Sequence, residues 1–198
     1  MLNYNPTIKE NKNYNDLIIK EIVPIMKLNI RGKKREFFTS VGKILNMILP
    51  TETNTSSAND KNTSIWLSPD EWMIHSNDPV KNNDNSYELE ESLYSNISKN
   101  NLGSVSDVTD QFVMINLEGK KIFELLSSGF PLNFNEFKEK KGSTAQTILN
   151  HIDVIIHHKN SNNVNLFVRR SFSEHLWSWI NYAASRLYMF FYINSYKN

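Results

Sequence analysis

Between Ile22 and Ile30 apolar and polar positions alternate: Met26, Leu28 and Ile30 are separated by Lys27 and Asn29, as a half-buried strand requires. Gly32 breaks that run and the period lengthens. Phe37, Val41, Leu45 and Ile48 recur at helical spacing until Pro50, which predicts a helix. The polar stretch TETNTSSANDKNT follows as a loop. Residues 1–16 show no periodicity and read as a mobile tail.

Ile65, Trp66 and Leu67 lead into Ser68-Pro69-Asp70-Glu71, and Trp72, Met73 and Ile74 follow. Ser68 could cap a helix with Pro69 at its first position. The apolar run after it lasts only three residues, however, so a hairpin with Ser, Pro and Asp in the turn fits better. Paired acids between two tryptophans also resemble a general-acid arrangement. On the hairpin reading, Asp70 and Glu71 instead sit at a solvated tip.

YELEESLYSNISKNN carries Leu89, Leu93 and Ile97 on one helical face, and SVSDVTDQFVMINLEG is extended with Val113, Ile115 and Leu117 facing one way. KKIFELLSSG is a short helix stopped by Gly129. STAQTILNHIDVIIHHK, the turn NSNN and VNLFVRR form a strand meander. SFSEHLWSWINYAASRLYMFF closes the chain as a helix, with Ser171 and Glu174 placed as a capping box. Its stripe of Phe172, Leu176, Trp179, Ile180, Ala183 and Leu187 is broad. Trp177 lies off that stripe, and Tyr188, Met189, Phe190, Phe191 and Tyr192 leave little polar face, so the helix needs cover on more than one side.

LNIRGKK (28–34) and INLEGKK (115–121) are each a strand, a glycine and the start of a helix. Two such units point to ferredoxin-like repeats and an α+β fold, a mainly antiparallel sheet with helices packed on one face. A single domain over 17–187 is expected, with an aromatic C-terminal extension at 188–198.

Composition narrows the chemistry. Lys and Arg total 22 against 21 Asp and Glu, so no strong field draws the 198-residue chain to nucleic acid or anionic lipid. There is no cysteine, which removes disulfides, thiolate metal sites and a cysteine nucleophile. The six glycines are too scattered for a dinucleotide or P-loop motif. No signal-like or membrane-spanning run is visible, and the expected location is cytoplasmic. His157 and His158 are adjacent on a strand and point to opposite faces, while His151 and Asp153 could share one face; neither pair makes a metal site. Arg169 and Arg170, ahead of the last helix, could grip a carboxylate or phosphate.

IWLSPDEWMI (65–74), DVTDQFVMINLEG (107–119), SSGFPLNF (127–134), GSTAQTIL (142–149) and LFVRRSFSEHLWSWI (166–180), with KEIVPIMKLNIRG near the start, resemble the gamma subunit of heterotetrameric sarcosine oxidase over roughly residues 17–185. Family members often have Gly where Ser68 stands and Cys where Thr144 stands. The resemblance implies a fold similar to the folate-binding aminomethyltransferases. It implies a non-catalytic subunit packed on alpha, with beta and delta in the complex, in an enzyme that demethylates sarcosine to glycine with formation of hydrogen peroxide and 5,10-methylenetetrahydrofolate. FAD, FMN, NAD and tetrahydrofolate are then expected on partner subunits and no cofactor on this chain. Trp66, Trp72, Trp177, Tyr188, Phe190 and Phe191 are the candidate interface residues. Two alternatives stay open: a folate-handling domain using Arg169 or Arg170, and the equivalent subunit of an N-methylglutamate dehydrogenase.

Overall fold

The computed structural model describes residues 6–8, 10–22, 25–76 and 87–195, with side chains to Met189. In chain order come β1 (Lys12–Tyr14), β2 (Leu17–Ile22), β3 (Met26–Gly32) and α1 (Arg35–Leu45). Next are β4 (Ser56–Ala58), β5 (Asn62–Ser68), β6 (Glu71–Ser76) and α2 (Glu88–Leu93), which runs on into a π-helical turn over Tyr94–Ser98. β7 (Gly103–Asp107), β8 (Phe112–Glu118), α3 (Ile122–Ser127) and α4 (Phe134–Phe137) follow. The chain ends with β9 (Thr144–Leu149), β10 (Ile152–Asn160), β11 (Asn163–Arg169) and α5 (Arg170–Ser195).

These elements form two compact units, one over Val23–Phe112, the other over Pro6–Ile22 with Val113–Asn198. Where the pattern reads a single domain over 17–187, the chain thus divides inside that span.

In the first unit the sheet order is β4-β5-β6-β3-β7. β3 lies antiparallel to both neighbours, with Leu28 opposite Ile74 on one side and Asp107 on the other. The sequence β3-α1-β5-β6-α2-β7, with β3 central, is the split βαβ arrangement of a ferredoxin-like fold. Met26, Leu28 and Ile30 pack with Phe37, Val41 and Leu45 of α1 and with Leu93 and Ile97, so both helical segments cover one face. Each fully buried Leu or Ile there contributes about 1.5–3 kcal/mol. α1 stops earlier than its periodicity predicts. Asn46 takes a left-handed conformation with φ 51°, caps the helix, and leaves Ile48 85% exposed.

The second unit repeats this frame with a strand borrowed from the chain's start. Its order is β1-β2-β8-β11-β10-β9, and β2 occupies beside β8 the place that β7 occupies beside β3. Ile18 faces Glu118 and Ile22 faces Met114 in that antiparallel ladder. The mobile tail expected over 1–16 is therefore partly structured: β1 pairs with β2, Ile8 is buried, and its N–H donates to Glu21 Oε2 at 2.8 Å. Val113, Ile115 and Leu117 face the core built with α3 and α5, as their alternation predicts.

The short sequence echo marks equivalent positions. Gly32 N–H donates to Asp70 O at 3.1 Å, and Gly119 N–H donates to Asn162 O at 2.9 Å. Each acceptor is at the tip of the hairpin made by the unit's second and third frame strands, and each hairpin has a register shift just before its turn. Asn29 Nδ2 donates to Glu71 Oε1 at 2.6 Å, as Asn116 Nδ2 donates to Asn163 Oδ1 at 2.8 Å.

Candidate interaction surface

The hairpin tip at Asp70 and Glu71 carries no general-acid geometry. Ser68 Oγ donates to Asp70 Oδ1 at 2.9 Å, and this bond, with Lys33 nearby, holds the carboxyl below its usual range. Glu71 is engaged by Asn29 and by Arg31 Nη2 at 3.0 Å. Trp72 is core: it is 1% exposed, donates its indole N–H to Pro50 O at 2.8 Å and packs on Phe37 and Phe38. That removes it from the interface candidates. Trp66 is half-buried against the same core.

Asn150 and His151 both have positive φ and form the tight turn between β9 and β10. His151 therefore lies off the strand face expected to carry it with Asp153. His158 is enclosed by Phe123 and Phe137, its Nδ1 2.9 Å from Lys140 O. His157 is also buried; burial first, then the charges of His158 and Lys159, push its pKa down to about 4. Among the described residues no three His, Asp or Glu side chains group as metal ligands.

Arg169 ends β11 exposed, whereas Arg170 opens α5 half-buried. Because the helix already includes Arg170, Ser171 falls in its first turn, and the expected capping box gives way to Ser173 Oγ donating to Arg170 O at 2.7 Å.

α5 buries Leu176, Ile180 and Ala184 in the second unit's core, with Trp177, Ala183, Leu187 and Tyr188 partly buried beside them. Tyr188 stacks on Tyr14 with ring centroids 5.2 Å apart, and burial raises its phenol pKa. The side chains of Phe190 and Phe191 lie outside those described. A second stripe departs from the expected pattern. Phe172 (52% exposed), Tyr182 (62%) and Met189 (65%) align at helical spacing with half-buried Trp179 and exposed Arg186. Phe172, expected inward, stands in the first turn of α5 at the margin of the buried arc, about 40° round the helix from Leu176, and is exposed.

Between this stripe and α3 runs a groove of about 330 Å³ lined by Glu124, Leu125, Ser128, Trp179, Tyr182 and Arg186, among others. Trp179 reaches it because Gly129 has no side chain: a Cβ there would lie 2.4 Å from the indole. Arg186 lies over the Tyr182 ring at 5.8 Å, and Glu124 is paired with Lys121 Nζ at 2.8 Å. Tyr182 and Arg186 are not among the residues the apolar stripe singles out, although the spacing of Phe172, Trp179, Tyr182, Arg186 and Met189 holds the signal. Among the described residues no helix is long and apolar enough to cross a membrane.

The family model for "Sarcosine oxidase, gamma subunit family" matches residues 32–186. No curated protein matches the sequence. Among solved structures, a chain of heterotetrameric sarcosine oxidase from Corynebacterium sp. U-96, in complex with pyrrole 2-carboxylate, superposes with TM-score 0.75 at 19% identity, covering 86% of this chain and 84% of that one. The aspartate kinase of Clostridium acetobutylicum matches with TM-score 0.41 and 12% identity over 89% of this chain and 37% of that chain.

Proposed function

Because the chain belongs to the sarcosine oxidase gamma-subunit family, we propose that it is a non-catalytic gamma subunit packed on the alpha subunit of a heterotetrameric oxidase. In that reading, beta and delta complete the assembly. FAD, FMN, NAD and tetrahydrofolate belong to the partners, and the complex oxidatively demethylates sarcosine to glycine. The supporting observation is the family match over residues 32–186. The exposed aromatic stripe of α5 is physically consistent with a subunit role, since large apolar side chains in contiguous display favour a protein partner.

The test is coexpression of the tagged chain with the alpha, beta and delta chains from the same source. The eluate is read for flavin absorbance, for peroxide formed on sarcosine and, separately, for reduction of an added electron-accepting dye by N-methylglutamate. A yellow complex active on sarcosine is expected. Turnover of N-methylglutamate alone would transfer the subunit role to a different dehydrogenase, and a colourless lone chain would refute it.

A further inference from the structure

The geometry points to the α3–α5 groove, with the stripe beside it, as the seat of a partner segment that combines an apolar side chain with a carboxylate. This rests on the subunit reading and specifies its contact chemistry.

The apolar half of the site is built by Trp179, Tyr182 and Leu187 around a groove at the lower end of ligand-pocket size, with Phe172 and Met189 exposed along the same helix. Aromatic side chains of this kind give large contact area at low entropic cost and are enriched in binding hot spots. The charged half follows from bookkeeping of the groove's own ions. Glu124 is already neutralised by Lys121 at 2.8 Å. Arg186 has no ion pair among the described residues; its guanidinium rests over Tyr182, with its donors free to turn outward. The groove therefore presents one unmet positive charge above an aromatic wall. A guanidinium held against a ring donates bidentately to a carboxylate. A basic or purely polar segment would leave that charge uncompensated and the aromatic wall wet.

The experiment uses the full chain coexpressed with its partner subunits and compares Tyr182→Glu, Arg186→Glu and Arg186→Lys. Glu174→Lys, a charge change on the polar face of the same helix, is the control. Thermal melting of each isolated variant reports folding. Expected are wild-type melting throughout and a roughly tenfold or greater loss of recovered partner subunits for Tyr182→Glu and Arg186→Glu. Partial recovery is expected with Arg186→Lys and no change with Glu174→Lys. Binding of the wild type is also expected to weaken with salt more steeply than binding of Arg186→Ala. Wild-type recovery by both glutamate variants overturns the groove assignment while leaving the subunit role intact. A wild-type chain that recovers no partner overturns both.

Discussion

Gly32 and Asp70 are joined by a backbone hydrogen bond of 3.1 Å that ties the end of a central strand to the tip of the neighbouring hairpin. Gly119 and Asn162 make the same connection at 2.9 Å in the other unit. Both glycines are there for space. A Cβ on Gly32 would lie 2.4 Å from the Phe37 ring; one on Gly119 would lie 2.0 Å from Asp16 O, at φ +137°.

Gly119→Ala is accordingly expected to destabilise by about 1–3 kcal/mol from backbone strain alone, with the Asp16 overlap adding to it. Gly42→Ala is the opposite case. Gly42 sits in α1 with ordinary space around a Cβ, so a gain of about 0.5–1 kcal/mol is expected. Urea denaturation of the two variants checks the contrast, and equal effects would refute it.

Asp70 and Glu71 serve the hairpin. Asp70 accepts from Ser68, which keeps its carboxyl ionised and unable to donate a proton near neutral pH. The double variant Asp70→Asn, Glu71→Gln in the assembled complex is expected to leave peroxide production within about twofold of wild type. A loss of several orders of magnitude, as removal of a general acid produces, would restore a catalytic role.

Trp72 tests the first unit's core. Trp72→Phe keeps ring contact with Phe37 and Phe38 but strands the Pro50 carbonyl, at an expected cost of about 1–3 kcal/mol. Trp72→Ala is expected to cost about 3–5 kcal/mol. Equilibrium unfolding monitored by circular dichroism distinguishes them.

His157 gives the chain a pH dependence with a definite sign. Its folded pKa, about 4, lies below the ordinary 6.5, so the unfolded chain binds the proton more tightly. Stability tied to the neutral ring is present above pH 6.5 and drains away as pH falls from 6.5 toward 4. The full effect is on the order of 3 kcal/mol. Melting temperature against pH, for wild type and His157→Gln, is expected to show a shallower acid decline in the variant.

Tyr188 lies within α5, as the closing helical pattern predicts, and its ring lies nearly parallel to Tyr14. Tyr188→Ala is expected to lose about 0.5–1.5 kcal/mol from stacking in addition to its area term. Hydrogen exchange should show faster opening of β1, and unchanged exchange there would separate the stacking from strand stability.

Local chemistry made much of this readable in advance. Gly32 and Gly119, each preceded by alternating apolar residues and followed by two lysines, marked equivalent strand ends. Ser68-Pro69 announced a turn. What stayed hidden depended on distant partners. Nothing within Leu17–Ile22 says that it pairs with β8, and nothing in the Trp72 side chain distinguishes a core position from an exposed one. Ile48 keeps the period of α1, but Asn46 had already turned the chain. At the candidate surface, the apolar richness of α5 was plain, but which arc faced α3 depended on where the helix began and on the close approach that Gly129 permits.

The borrowed strand β2 has a consequence in time. Ile18 and Ile22 must wait for Glu118 and Met114, a closure across roughly a hundred residues with a correspondingly unfavourable entropy. During synthesis the wait is roughly 5–20 s at ordinary elongation rates, long enough for the intervening unit to close on itself first. Until then the Leu17–Ile22 segment has only the three-residue β1 beside it and leaves its β8 edge open on the nascent chain, the kind of edge that chaperones cover and that aggregates recruit. A ribosome that stalls near Phe112 would therefore release a finished first unit trailing a sticky end, so the amino-terminal strand makes complete translation a condition of solubility.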